Sequence, residues 1–125
     1  MKFNRFKMTE DKLYNLVSIK EMLGDDEVVK YMIKVFVDST PETLDELNQG
    51  YNENNPDKLA RSAHKMKASL DLLKIDQLFE VVRKIDKKEK VEKINKGDLE
   101  KIILEMNSVL NIVFAQLNQE ISSDL

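Results

Sequence analysis

A chain of 125 residues, 42% hydrophobic and 34% charged, has the size and composition of one soluble globular domain with one core. It contains no cysteine, which excludes disulfides, thiol nucleophiles and thiolate metal sites. A formal charge of −3 speaks against a general nucleic-acid binder, and with no apolar run of membrane-spanning length and no signal-peptide pattern the expectation is a cytoplasmic protein, or the soluble part of a larger one.

Three glycines and two prolines punctuate long stretches rich in Leu, Lys, Glu, Ile and Met, a pattern of helices. Residues 1–8 place Phe3, Phe6 and Met8 among basic residues, as a loose start or a short helix. Ser18 and Glu21 have capping-box spacing, so Ser18 is expected to cap a short helix that Gly24 stops in a left-handed conformation. Asp25 or Asp26 can cap the next helix, whose stripe is Val29, Met32, Ile33, Phe36, Thr40, Leu44, Leu47 and Tyr51. Pro41 interrupts it, but the stripe keeps its phase, which favours one kinked helix over two. Asn55 as N-cap and Pro56 as first residue open a third helix with Leu59, Ala63, Met66, Leu70 and Leu73 on its buried side. Asp71 to Lys74 reads as a turn or a bent continuation, and a new stripe runs through Ile75, Leu78, Phe79, Val82 and Ile85. Lys84 to Lys96, charge-rich with only Val91 and Ile94 apolar after Ile85, reads as a solvated helix end and loop. Gly97-Asp98 starts a last long helix with Leu99, Ile102, Ile103, Met106, Leu110, Val113, Leu117 and Ile121 as its stripe. The expected fold is all-α: an antiparallel, up-down-up-down four-helix bundle with a short extra N-terminal helix. Residues 1–12 form an N-terminal extension and 13–125 the bundle domain. A monomer is expected because four helices already close one core, and the initial methionine favours a free-standing protein.

His64 is the only histidine. At about 100° of rotation per residue, it points roughly 130° away from the core direction set by Ala63, Met66 and Leu70. It therefore faces solvent in mid-helix. Ala60 and Ala68 lie four residues before and after it on the same ridge, and Arg61 and Lys67 flank it. Helical side chains lean back over the preceding turn, so a long residue at position 68 would drape over the ring, whereas alanine leaves it open. An open imidazole fringed by cations suits phosphoryl chemistry, which depends on in-line approach and on charge stabilisation. By itself, the same geometry also describes an ordinary surface histidine, and alanine is simply the best helix former.

The segment Ala60-Arg61-Ser62-Ala63-His64-Lys65-Met66-Lys67-Ala68-Ser69 adds more. It resembles the histidine-containing phosphotransfer (HPt) domains of bacterial and plant phosphorelays, whose hallmark helix reads roughly Ala-His-x-Leu/Met/Ile-Lys-Gly-Ser. Ala63, His64, Met66, Lys67 and Ser69 fall in register, and the likeness covers about residues 13 to 121. It implies an antiparallel four-helix bundle with His64 as phosphoacceptor, through the outer ring nitrogen, and Lys67 stabilising the phosphoryl charge. Ala68 stands where most members have glycine, and Leu73-Lys74 where many have Leu-Gly; the added methyl at position 68 is the smallest possible departure. The resemblance further implies a stoichiometric phosphocarrier rather than an enzyme, with no kinase, ATP site or cofactor of its own. The partner, a response-regulator receiver domain or a hybrid sensor histidine kinase, supplies Mg2+ and the aspartate. Arg61, Lys65, Ala68 and Asp71, with Lys67, are the expected docking surface, and the first long helix is expected to add an apolar patch. An alternative is an HPt-like scaffold or adaptor that binds a receiver or kinase without transfer; His64 and Lys67 together speak against it. A metal- or cofactor-binding bundle needs inward Glu-x-x-His ligands, and an autokinase dimerisation domain needs an ATP-binding domain after it.

Overall fold

The computed structural model describes residues 11–123, and within them every regular element is helical. In chain order these are α1 (Val17–Leu23), α2 (Asp26–Asn52), α3 (Pro56–Leu72), a 3-10 turn (Asp76–Leu78), α4 (Phe79–Arg83), α5 (Lys88–Lys93) and α6 (Lys96–Ser123). The two expectations for residues 1–8, a loose start or a helix, lie outside the described residues.

Local chemistry explains most of the boundaries. Asp25 caps α2 by accepting from the Glu27 amide at 2.8 Å, and Asn55 caps α3 by accepting from Lys58 N–H at 3.1 Å, with Pro56 first in the helix. Gly24 takes the left-handed conformation that ends α1, at φ 69°. The capping box expected at Ser18 does not form: Ser18 lies inside α1, and Asn15 Oδ1 accepts from Val17 N–H at 2.9 Å, starting the helix earlier. Likewise α6 starts at Lys96, before Gly97-Asp98, because Asn95 Oδ1 accepts from the Asp98 amide at 2.8 Å. Helix α2 runs through Pro41 as one helix, as its unbroken stripe requires.

Pairings along the helices give the up-down-up-down order. Lys58 reaches Gln49 while Lys65 reaches Glu46, so α2 and α3 are antiparallel. Phe36 packs against Phe114 with the rings tilted and centroids 5.9 Å apart, and Asn48 exchanges two amide hydrogen bonds with Asn107, so α6 also opposes α2. Arg83 meets Asp71 and Asp86 meets Lys67, so the segment after α3 runs back along it. That third arm is broken rather than a single helix. Its buried Ile85 and Val91 are six residues apart, out of phase for one 3.6-residue helix. The extended Lys87, at φ −141° and ψ 143°, resets the chain so that both reach the core. Val91 is thus a core residue in a stretch that reads as solvated.

The core joins the expected stripes of α2, α3 and α6, with Ile33, Leu47, Leu59, Leu70, Met106 and Leu110 nearly or fully buried. Two stripe residues differ. Met32 is partly exposed on the rim of its stripe, and Phe79 is 43% exposed, its ring lying 3.8 Å under the Arg83 guanidinium instead of in the core. The segment before α1 closes one end of the bundle. Leu13 N–H donates to Gln116 and Tyr14 Oη to Glu120 at 2.6 Å; burial, then that carboxylate, pushes the Tyr14 phenol well above its ordinary range. Asp11 also joins this end, its carbonyl accepting from Gln116 at 2.7 Å, so α6 contacts begin before residue 13.

Candidate functional site

Helix α3 divides into two faces. Leu59, Ala60, Ala63, Met66 and Leu70 are buried, while His64, Arg61, Lys65 and Ala68 are exposed. The imidazole stands in mid-helix on the solvent side, where the 3.6-residue repeat places it. The buried face is held very close to α2: a Cβ on Gly50 would lie 2.7 Å from Leu59 N and 2.9 Å from Leu59 Cα. Ala60, expected on the open ridge beside His64, is only 4% exposed: it lies on the side of α3 that carries Lys67 and Asp71, along which the following segment runs back, and it borders a depression with Lys87 and Lys88. Ala68 does lie in the open, so clearance on the following turn is as expected.

The cations around the ring are each engaged. Arg61 pairs with Asp57 at 2.9 Å and Lys65 with Glu46 at 3.1 Å, both on the exposed side. Such pairs are weak in water, so either cation can exchange its partner at little cost. Asp71 accepts two hydrogen bonds from Arg83, at 2.7 and 3.2 Å, a bidentate pair that ties the end of α3 to α4. Lys67 is held differently. Its Nζ donates to Asp86 Oδ2 at 2.8 Å, and the other oxygen, Oδ1, accepts from Lys90 Nζ at 2.9 Å. The Asp86 side chain is 4% exposed, and among the described residues Asp86 is the only charged residue in the buried class. Burial alone would push its carboxyl up, but the hydrogen bonds and charges of Lys67 and Lys90 outweigh that and hold it at about 2.

A shallow depression of about 830 Å³ lies between α3 and residues 86–89, bordered by Glu46, Arg61, His64, Lys65, Asp86 and Lys87. The structure thus brings His64, Arg61 and Lys65 to one surface, with Asp86 linking that surface to Lys67. Ala68 and Asp71 do not border the depression. Sequence reading missed Asp86 and Lys90 because both sit in a stretch that looks like a solvated loop. The available signal was Ile85 and Val91, whose spacing marks an inward-turning segment with Asp86 next to the first of them.

Chemically, the arrangement offers one accessible nucleophilic ring, cations within its neighbourhood and no nucleotide-binding loop. Among the described residues no group of three or more His, Asp or Glu stands together as a metal site, and no helix is long and apolar enough to cross a membrane. Neither a curated protein nor a solved structure gives a match to the chain. Against family models, residues 32–122 match the Hpt domain, a span that holds most of α2, all of α3 with His64, and nearly all of α6. A match over well over half of the chain, on a helical bundle with an exposed histidine midway along α3, makes this chain a member of the Hpt domain family, the histidine phosphotransfer modules of phosphorelays.

Proposed function

We propose that the protein is a phosphorelay intermediate: His64 accepts a phosphoryl group from the aspartyl phosphate of a receiver domain and passes it to another receiver. The reading is carried by the exposed imidazole in mid-α3, in register with Lys67 and followed by the small Ala68. Hpt domains are phosphocarriers without a kinase activity of their own, and they work with receiver domains and kinases of two-component systems. In the transfer, the outer ring nitrogen attacks phosphorus, the P–O bond to the aspartate breaks, and the aspartate leaves as carboxylate. The ring keeps its proton on the other nitrogen. The product carries extra negative charge beside Lys67, which offsets part of it. Mg2+ and the acceptor carboxylate belong to the receiver. Arg61, Lys65 and Ala68 serve the docking surface around the ring, and Asp71 its edge toward α4.

The test is incubation with a phosphorylated receiver domain. Acid-labile label is expected on the wild-type chain and absent from His64→Gln at equal fold content. A chain that binds the receiver with no label on His64 is a non-transferring adaptor.

A further inference from the structure

A buried carboxylate with two lysines on it needs a reason, because one well-placed cation already satisfies a carboxylate's charge. The two lysines are not equivalent. Lys90 has a second anchor: its Nζ also donates to the Arg83 carbonyl at 2.8 Å, across the bend between α4 and α5. Lys67 donates to Asp86 alone. It sits three residues after His64 on α3, and Asp86 borders the same depression as His64. The unphosphorylated protein therefore keeps the Lys67 ammonium, one helical turn from His64, on an internal carboxylate.

A phosphoryl group brings about two negative charges and three strong acceptor oxygens. It competes with Asp86 for Lys67. Were Lys67 the only cation on Asp86, its departure would strand a buried charge, which is strongly destabilising. Lys90 removes that obstacle, since Asp86 keeps one charge-assisted hydrogen bond when Lys67 leaves.

From this arrangement, and resting on His64 as phosphoacceptor, we infer that Lys67, Asp86 and Lys90 form an ammonium exchange: on phosphorylation Lys67 moves from Asp86 to the phosphoryl group, while Lys90 stays and keeps Asp86 paired. Asp86 and Lys90 are then positioning residues that set how readily Lys67 is released. Removing Asp86 releases Lys67 at no cost. Removing Lys90 locks Lys67 onto Asp86.

The test uses the whole chain and phosphoramidate, which needs no receiver: its P–N bond breaks, ammonia leaves, and the phosphoryl group passes to the His64 ring. Both variants are expected to fold, because Asp86→Asn leaves two lysines that reach solvent (side chains 28% and 45% exposed) and Lys90→Met leaves Asp86 paired with Lys67. The labelling rate of Asp86→Asn is expected to rise and that of Lys90→Met to fall, each by roughly tenfold, the worth of one hydrogen bond to a charged group. General electrostatics would give the same signs, so Asp86→Asn is repeated in a Lys67→Met background, a combination that strands no buried charge. There the exchange requires its effect to shrink below about twofold. Persistence of the Asp86→Asn effect without Lys67, slower labelling in both single variants, or no change in either overturns the exchange. His64→Gln serves as the blank. A wild-type chain labelled by neither phosphoramidate nor a phosphorylated receiver overturns the phosphoacceptor reading itself, and the exchange with it.

Discussion

The two flanks of α3 are built on different physics. Toward α2 the buried contact is apolar and tight, with Lys58–Gln49 and Lys65–Glu46 only at its exposed rim: Gly50 lets the backbones approach, and Leu47, Leu59 and Ala63 are almost without exposed surface. Toward residues 79–91 the buried Val82, Ile85 and Val91 are joined by ion pairs nearer solvent, the Asp71–Arg83 pair and the two lysines on Asp86. Close-packed apolar interfaces have one arrangement and hold it. Ionic contacts near solvent can exchange partners. His64 stands between the two, on a helix fixed from one side and adjustable from the other, which is what a carrier requires of a ring that must stay in place while its charge changes.

The largest effect is expected where the tight flank is broken. Gly50→Ala puts a methyl group within 3 Å of backbone atoms that have no room to move. Alanine's higher helix propensity returns at most about 1 kcal/mol, so the net loss is about 1–3 kcal/mol, measured by urea unfolding. A gain in stability would mean that the approach of α2 to α3 is looser than described.

On the ionic flank the effects are smaller and depend on pH. The Asp86 carboxyl is held at about 2 against an ordinary 3.8. A carboxylate held low stabilises the fold fully above its unfolded value and loses that contribution as pH falls through the folded one. The Lys67–Asp86–Lys90 cluster thus contributes ~1–2 kcal/mol at neutral pH, lost between about pH 4 and pH 2. Asp86→Asn should flatten the acid limb of the stability profile over that window. An unchanged acid limb would place the acid-sensitive group elsewhere. Smallest is the outer pair: Arg83→Gln should shift the urea midpoint less than either change above, since both partners are partly exposed. It should leave labelling of His64 unchanged.

The same contrast explains what the sequence could disclose. Periodicity reports which side of a helix is buried, so the exposure of His64, the stripes of α2, α3 and α6, and the caps at Asn55 and Gly24 were all legible. It reports nothing about which neighbour does the burying. Ala60 shares a ridge with His64, yet it is buried, because it lies on the side of α3 along which the chain after that helix runs back. Phe79 looks like a core residue by spacing, but its ring finds the Arg83 guanidinium. Asp86 lies 19 residues from Lys67 in a lysine-rich stretch. A charge run there reads as solvated because its partner is on another helix, and only the fold brings the two together.

The central claim concerns a single nitrogen. Nitrogen-15 NMR of the imidazole ring, recorded before and after incubation with a phosphorylated receiver domain, tests it most directly. Expected is a new phosphorus-coupled resonance at the outer nitrogen of His64, with the rest of the α3 backbone signals nearly unmoved. Ring signals that stay unchanged while the receiver binds or loses its phosphate to water would contradict the phosphotransfer account.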